Sequence, residues 1–324
     1  MTSAPATDAP RPATDASTDD LLELLQMVRK DLALRGEDFP GSWVEPAAVE
    51  LRAGRQPGWF YSPQSPSGGI AFGNLRGTRA WGHVHCADET RTVALAQSLV
   101  EGLSARAGTV SVGFTGLAPV VEERALTSLL RRPGSVVIER HAMVRALRPE
   151  DTKAATVPPP GLDRIPIRDV TLEALADLDW RSFQGTTDDL LVGGSAEEYA
   201  RVLTGLLDNG LGLFLDPAST ALVEKAPMRL VGGILTAQVT AREAVFLDIM
   251  VDPERRRRGL GRFLVRWAMR ALVGLGYEKV RLWVTASNTS ALRLYDSEGF
   301  RRVMSTRIYR WDGPAVDPHP QRSR

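Results

Sequence analysis

The stretch "VDPERRRRGLG", residues 251–261, sets four consecutive arginines against a Gly-Leu-Gly. Taken alone, a run of like charge is a solvated face or a grip on a polyanion. Its neighbours give it a more definite meaning. Upstream, "AVFLDIMV" (244–251) is a short, mostly apolar run with β-branched Val245, Ile249 and Val251 that predicts a strand ending at Val251. Downstream, Leu260, Phe263, Leu264, Trp267, Ala268, Ala271 and Leu272 recur at i, i+3, i+4 spacing, which predicts the buried stripe of a helix starting near Gly259, with Arg262, Arg266 and Arg270 opposite. The arginines therefore occupy a strand-to-helix loop. The first turn of a helix has unpaired N–H groups and a partial positive charge, glycines admit a ligand to the backbone, and arginines add charge-assisted donors. The stretch is an anion-binding device suited to a phosphate or diphosphate.

Working outward, the C-terminal half alternates strand and helix signals. "LDRIPIRDV" (162–170) reads as a strand. "TLEALADLDWRSFQ" (171–184) reads as a helix with Thr171 as N-cap and Leu172, Leu175 and Leu178 on one side, and "SAEEYARVLTGLLDNG" (195–210) opens with the capping-box spacing Ser195…Glu198. The apolar runs "LGLFL" (211–215), "RLVGGILTAQV" (229–239) and "AVFLDIMV" predict three consecutive strands, and "KVRLWVT" (279–285), "TSALRLYDSEG" (289–299) and "FRRVMSTRIYRW" (300–311) predict strand, helix and strand. "RPEDTKAATVPPPG" (148–161), rich in Pro and charge and without periodicity, reads as a linker. Residues 1–18 and 313–324 are too poor in apolar side chains to offset the entropy of ordering and are expected to be disordered tails. The expected organisation is a domain over 19–147, a linker over 148–164 and a second domain over 165–312.

Composition narrows the function classes. With 40 Lys and Arg against 39 Asp and Glu in 324 residues, no net field favours nucleic acid or an anionic membrane, so only the arginine run offers a local patch. No apolar run of about 18 residues and no export signal is present, which predicts a cytoplasmic protein with no membrane partner. Cys86 is alone, and with four histidines a metal site is not expected; His83 and His85 alternate about Val84 as sheet residues do.

The residues also match a family pattern. Arg256-Arg257-Arg258-Gly259-Leu260-Gly261 resembles the [Q/R]-x-x-G-x-[G/A] acyl-CoA loop of the GNAT N-acetyltransferases. It follows a strand end Ile249-Met250-Val251 and the segment Asp252-Pro253-Glu254, and it precedes Asn288 and the box Leu294-Tyr295-Asp296-Ser297-Glu298-Gly299-Phe300. The resemblance is detailed over these elements and coarser over 165–312. It implies an α/β fold of two GNAT-like domains, each with a mixed, mostly antiparallel central sheet flanked by helices. The first would be a degenerate copy, because "AWGHVHC", "TVALAQSLVEGLSARAG", "TVSVGFTG", "VEERALTSLLRRPG" and "VVIERHAMVRAL" repeat the order strand, helix, strand, helix, strand. Laying Val110 on Val280 puts Ala118 at the place of Asn288 and Ala125 at that of Tyr295, and "ADETR" (87–91) offers Asp88 and Glu89 where a diphosphate needs donors.

The resemblance further implies acetyl-CoA as co-substrate, no metal, and a small-molecule primary amine as acceptor. The diphosphate would rest on the backbone from Arg257 to Arg262 around Gly259, Leu260 and Gly261, with charge from Arg255 to Arg258. Ile249, Met250 and Val251 would line the acyl arm, a backbone N–H near Met250 or Val251 would polarise the thioester carbonyl, and Asn288 with Ala291 would complete the cofactor set. Tyr295 would protonate the leaving thiolate; a packing tyrosine is the alternative. Asp248, a carboxylate in an apolar strand, is the candidate base, since such a group is costly unless paired or used. Strand alternation would put it on one face with Phe246 and Met250. Its alternative is a turn cap or an arginine partner, and Glu224 and Glu243 stand in reserve. Asp188 and Asp189 would attract a cationic acceptor or lie in a solvated loop. Rival readings are a non-catalytic acyl-CoA sensor, which has no need of a proton donor, and nucleic-acid binding through the arginine run, which lacks interleaved aromatics. Mycothiol synthases share the length and mid-chain Pro-rich linker but keep a G-x-G loop in their first half, so a mycothiol-synthase-like enzyme is the alternative within the family.

Overall fold

The structure, a computed structural model, describes residues 9–34, 43–65, 67–76, 79–116, 126, 135–153, 157–209, 212–226 and 228–312. They form two units, Met1–Ile138 with Thr306–Arg324, and Glu139–Ser305.

In the first unit the strands β1 (Arg11–Pro12), β2 (Gly58–Tyr61), β3 (Gly69–Arg76), β4 (Arg79–Cys86) and β5 (Thr109–Thr115) lie side by side in chain order. Residues Thr109–Gly113 of β5 then pair antiparallel with Ile308–Asp312 of the last strand, β13 (Arg301–Asp312). Helices α1 (Thr18–Leu34) and α2 (Val44–Arg52) bury Leu21, Leu24, Leu25 and Leu51 against Phe60 and Ile70. Helix α3 (Glu89–Ser104) buries Leu95, Leu99 and Leu103 with Val84 and Val110.

The second unit is a sheet with helices on both faces. Its strand order runs from β6 (Ser135–Ala146, from Glu139 on) through β12 (Lys279–Thr285), β11 (Glu243–Val251), β10 (Met228–Thr240) and β9 (Thr220–Lys225) to β7 (Leu162–Pro166), and β8 (Leu213–Phe214) also pairs with β10. Among the described residues of this unit β11 and β12 pair parallel, and the other pairings given by the strand order from β12 to β6 and from β11 to β7 are antiparallel. One face carries α4 (Leu172–Phe183), the short α5 (Asp189–Val192) and α6 (Ala196–Leu207), whose Leu175, Leu178, Tyr199 and Leu203 pack with Met250 and Leu235. The other carries α7 (Leu260–Gly274) and α8 (Thr289–Ser297), where Leu264, Ala268 and Leu272 meet Phe246, Val280 and Leu282. Each such fully buried leucine contributes on the order of 1.5–3 kcal/mol. The caps read from sequence form: Thr171 Oγ1 accepts the Ala174 N–H at 3.3 Å, and Ser195 Oγ that of Glu198 at 3.4 Å.

Several expectations are corrected. Between "LGLFL", which yields only the two-residue β8, and β10 lies an unforeseen strand, β9 "TALVEK", which pairs with both β10 and β7. Residues 9–18 are not a tail: Ala13 and Ala16 are buried against α1 and α2, and α1 begins at Thr18. The break at 147 does not divide the packing either, because Arg140–Ala146 pairs with β12 and Ile308–Asp312 with β5. Within 148–164 a 3-10 turn spans Pro149–Lys153 and β7 starts at Leu162. On α7, Val265 and Met269 are buried, while Trp267 is partly covered by the Arg164 guanidinium 4.8 Å above its ring. The expected tails at 1–8 and 313–324 and the expected helix at 121–134, which includes Ala125, lie outside the described residues apart from Leu126, as does Ala118. No described helix is long and apolar enough to cross a membrane.

Candidate active site

The arginine loop is anchored from below. Asp252 is wholly buried and accepts from Arg181, from Arg229 at 2.8 Å and from the Glu254 N–H at 2.9 Å. Burial opposes its ionisation, but the hydrogen bonds from Arg181 and Glu254 prevail and hold the carboxyl below its ordinary value. The four arginines then divide. Arg255 is spent on Glu224 at 2.6 Å, and Arg256 reaches back to the Ser182 carbonyl and, at 3.4 Å, that of Val251. Arg257 and Arg258 are exposed and make no hydrogen bond or ion pair among the described residues, and of the two only Arg257 lines the cleft above the loop. Arg262 joins Glu298 at 2.9 Å. Gly259, with φ 83°, ends the loop in the left-handed region and caps α7 without a side chain. A Cβ built there would meet nothing within 4 Å, and Gly259, Leu260, Gly261 and Arg262, the start of α7, all line the cleft. At Gly261 a Cβ would come within 3.2 Å of Leu294, so this glycine also serves the packing of α7 on α8.

Beside the loop the sheet opens. β11 and β12 are paired only from Glu243↔Lys279 to Phe246↔Leu282, although β11 continues to Val251 and β12 to Thr285. At the same point the register of β11 on β10 slips: Leu235 faces Asp248 and Thr236 faces Phe246, leaving Leu247 as the extra residue of a bulge. The bulge overturns the expectation that Phe246, Asp248 and Met250 share a face. Phe246 packs with the α7 side, whereas Leu247 and Met250 pack on the α4 side, and Asp248 is hydrogen-bonded to Asp179 of α4. Ile249 and Val251 line the cleft, as expected for the acyl arm, whereas Asp248 and the fully buried Met250 are not among its lining residues. The Asp252 N–H donates to Val231 of β10, so antiparallel alternation turns the Val251 N–H away from β10 and into the fork.

The cleft holds 660 Å³ and is lined by the loop, the end of α4, residues 185–188 and the start of α8 with Asn288, Ala291 and Tyr295. Tyr295 is 7% exposed, and its ring sits 5.8 Å from that of Phe300. Its hydroxyl has no hydrogen-bond partner among the described residues. Burial, then the charges of Asp248 and Asp188, push the pKa of the phenol above its ordinary value, so that it stays protonated. Asp248 is half-buried, and burial pushes its carboxyl up to about 7. Asn288 is committed within the protein: its Oδ1 caps α8 at the Ala291 N–H, 3.1 Å away, and its Nδ2 donates to Asp188 at 3.4 Å. Asp188 also accepts from the Thr285 hydroxyl. Asp189 does not line the cleft; it accepts from the Tyr199 hydroxyl at 3.1 Å and the Gly185 N–H at 3.3 Å. The two reserve carboxylates are ion-paired away from the fork, Glu224 with Arg255 and Glu243 with Lys279 and Arg281 at the far end of β11.

Sequence reading missed Asp179 and Tyr199. Asp179 had a signal, since a carboxylate four residues after Leu175 falls on the buried stripe of α4. Tyr199 had none beyond its apolar position on α6.

The first unit, taken by itself, has no such fork. β4 and β5 pair without a break from Arg79↔Thr109 to His85↔Thr115, and His83 and His85 both meet the Thr115 hydroxyl, at 2.8 and 2.9 Å. Asp88 caps α3 by accepting the Arg91 N–H at 2.8 Å, so the carboxylate occupies the helix N-terminus itself.

Comparison with known proteins accords with this geometry. The family model described as acetyltransferase (GNAT) family matches residues 172–300. The mycothiol acetyltransferase of Clavibacter sepedonicus is 37% identical over 108 residues, 33% of this chain and 35% of that protein. The ribosomal protein bS18-alanine N-acetyltransferase of Salmonella typhimurium is 42% identical over 72 residues, 22% of this chain and 49% of that protein. The matches thus span between about a third and a half of these relatives' lengths. Among solved structures, a GCN5-related N-acetyltransferase from Sphaerobacter thermophilus aligns with a TM-score of 0.65 at 15% identity, covering 95% of this chain and 96% of its own. A tandem GNAT protein from the clavulanic acid biosynthesis pathway aligns with a TM-score of 0.56 at 14% identity, covering 95% and 99%. At such identities the likeness is one of fold. Over residues 172–300, the stretch that holds the arginine loop, the parted strands and the cleft tyrosine, the chain is similar to the acetyltransferase (GNAT) family.

Proposed function

We propose that the chain transfers an acetyl group from acetyl-CoA directly to the primary amine of a cytoplasmic small molecule. The observation that carries this reading is the fork between β11 and β12, where the Tyr295 phenol, with no hydrogen-bond partner among the described residues, lines the cleft and feels the charge of Asp248, a carboxyl at about 7 just behind the lining. The loop suits a diphosphate on two counts: the bare backbone at Gly259 and the uncommitted Arg257. Acetyl-CoA held there supplies an acyl carbon already activated by its bond to sulfur. The Val251 N–H is the donor in position to polarise the acyl carbonyl; loss of one such donor costs about 3 kcal/mol in other enzymes.

Asp188 and Asp248 draw a cationic acceptor toward the fork. An ammonium must lose a proton before it can attack, and Asp248, poised at about 7, accepts it and passes it to water in the cleft. As the N–C bond forms and the C–S bond breaks, Tyr295 delivers its proton to the sulfur. The second proton of the amine, released once the amide has formed, restores the phenol. The products are an acetamide, free thiol and one proton. The pKa of Tyr295 lies above that of an ordinary thiol, about 8.5, but the same burial raises the thiol as well, so the proton moves as charge builds on sulfur.

A narrower reading takes the acceptor to be that of the mycothiol acetyltransferases. The identity over 108 residues favours it, while the loop at 87–91, without a glycine, departs from their first half. The test is a panel of primary amines, including the mycothiol precursor, incubated with acetyl-CoA while released thiol is measured. Turnover with at least one amine is expected. Tight acetyl-CoA binding without turnover across the panel would identify a sensor instead.

A further inference from the structure

The proposed chemistry leaves one buried carboxyl unused. Asp179 lies on the face of α4 that packs on β10 and β11, and it is 1% exposed. Among the described residues no cation pairs with it; Arg181, two positions on, is engaged with Asp177 and Asp252. Its Oδ1 is sealed from solvent and receives no N–H or hydroxyl donor. A carboxylate so placed is costly unless it carries its proton. What it does meet is the carboxyl of Asp248, which pairs opposite Leu235 on the α4 side of the sheet and comes close enough for a hydrogen bond between the two carboxyls. Two carboxyls can share a hydrogen bond only when one of them is protonated.

The surroundings decide which. Asp248 is reached by solvent, receives the Ile249 N–H and feels the positive charge of Arg140 from β6. Asp179 has none of these. The remaining groups that face Asp248 are Asp188, ahead of α5, Tyr199 of α6 and Tyr295 of α8, and none of them supplies a second positive charge.

We propose that Asp179 is a positioning residue that remains protonated at neutral pH and donates a hydrogen bond to Asp248, aiming that carboxylate at the fork. The proposal rests on the reading of Asp248 as the base. The pair then carries one negative charge in the resting enzyme and none after the acceptor's proton has arrived, while the proton on Asp179 stays where it is. Burial first, and repulsion from Asp248 second, raise Asp179 well above the usual carboxylate value, in keeping with this division.

The test has two arms. Infrared difference spectra of the parent and of Asp179→Asn, recorded above neutral pH, read the protonated carboxyl without any need for turnover. A protonated-carboxyl band present in the parent and missing in Asp179→Asn is expected; its absence from the parent overturns the proposal. The second arm is the pH profile of kcat. Asp179→Asn keeps a donor toward Asp248 and is expected to retain most of the turnover that Asp179→Leu loses. In Asp179→Leu the acid limb should move up by about one pH unit, which lowers the rate about tenfold below the limb. An acid limb that stays put in Asp179→Leu, or an Asn variant as impaired as the Leu variant, overturns the positioning role. If the parent turns over no amine, the reading of Asp248 as base fails, and the infrared arm still decides the state of the pair.

Discussion

Tyr295→Phe separates an acetyltransferase from a protein that merely holds acyl-CoA. The change removes one oxygen. Because the hydroxyl has no hydrogen-bond partner among the described residues, its loss should cost the fold less than about 1 kcal/mol, and the ring keeps its place 5.8 Å from Phe300. The residue lines the cleft, so acetyl-CoA meets nearly the same surface in parent and variant. The catalytic loss is of another size. A positioned general acid contributes about 10²- to 10⁴-fold, equivalent to about 2.7–5.4 kcal/mol of barrier. The assay is steady-state thiol release with the best amine of the panel, alongside calorimetric titration of acetyl-CoA into both proteins. Unchanged affinity with kcat down at least about a hundredfold is expected. Unchanged kcat would refute the proton-donor role, and a fall in affinity with kcat preserved would make Tyr295 a binding residue.

Further expectations follow from the same geometry. Gly259→Asp should abolish acetyl-CoA binding in calorimetry because the added charge faces the diphosphate; the open space around the Cβ lets the variant fold, while the left-handed φ of 83° costs about 1–2 kcal/mol and lowers the melting temperature by a few degrees, and a folded variant that binds normally removes the loop from the mechanism. Calorimetry of the parent should give one acetyl-CoA per chain, since β4 and β5 leave no slot; two equal sites would contradict this. Arg257→Ala should weaken acetyl-CoA binding more than Arg258→Ala, because Arg257 lines the cleft and Arg258 does not; the reverse order would break that assignment. The acid limb of kcat/KM should fall near pH 7, where Asp248 loses its proton. For stability the sign is the opposite of a salt-bridged carboxylate: the folded protein holds the Asp248 proton more tightly than the unfolded chain, so stability declines as pH rises from about 4 to about 7. Asp248→Asn should flatten that decline in a melting series; an unaltered slope would count against the raised value.

How much of this was legible beforehand depends on the range of the interactions involved. The arginine loop, the stripe of α7 and the caps Thr171 and Ser195 are local features. Each is fixed by residues within a few positions of one another, and each appears where the spacing put it. Tyr295 and Asn288 were found because their spacing from the loop matches a family pattern, although Asn288 proves to be held by Asp188 and by its own cap. Strand β9 was passed over because its apolar run is short and bounded by Ser219-Thr220 and Glu224-Lys225, so its identity comes from its two neighbours.

By itself the sequence determined that a strand, an anion loop and an amphipathic helix follow one another at 244–274, since hydrophobic period, glycines and charge need no partner to take effect. The tertiary structure decided the rest of the chemistry. Whether Asp248 faces the α7 side or the α4 side turns on a one-residue bulge set by pairing with β10, and such a slip reverses every side chain beyond it. Whether four arginines are four donors depends on Glu224 and the Ser182 carbonyl, 31 and 74 residues away in the chain, which claim two of them. Whether Asp179 is an ordinary helix residue or a buried acid depends on what α4 packs against. In each case the deciding force is short-ranged in space between residues far apart in sequence, so it exists only once the sheet has formed.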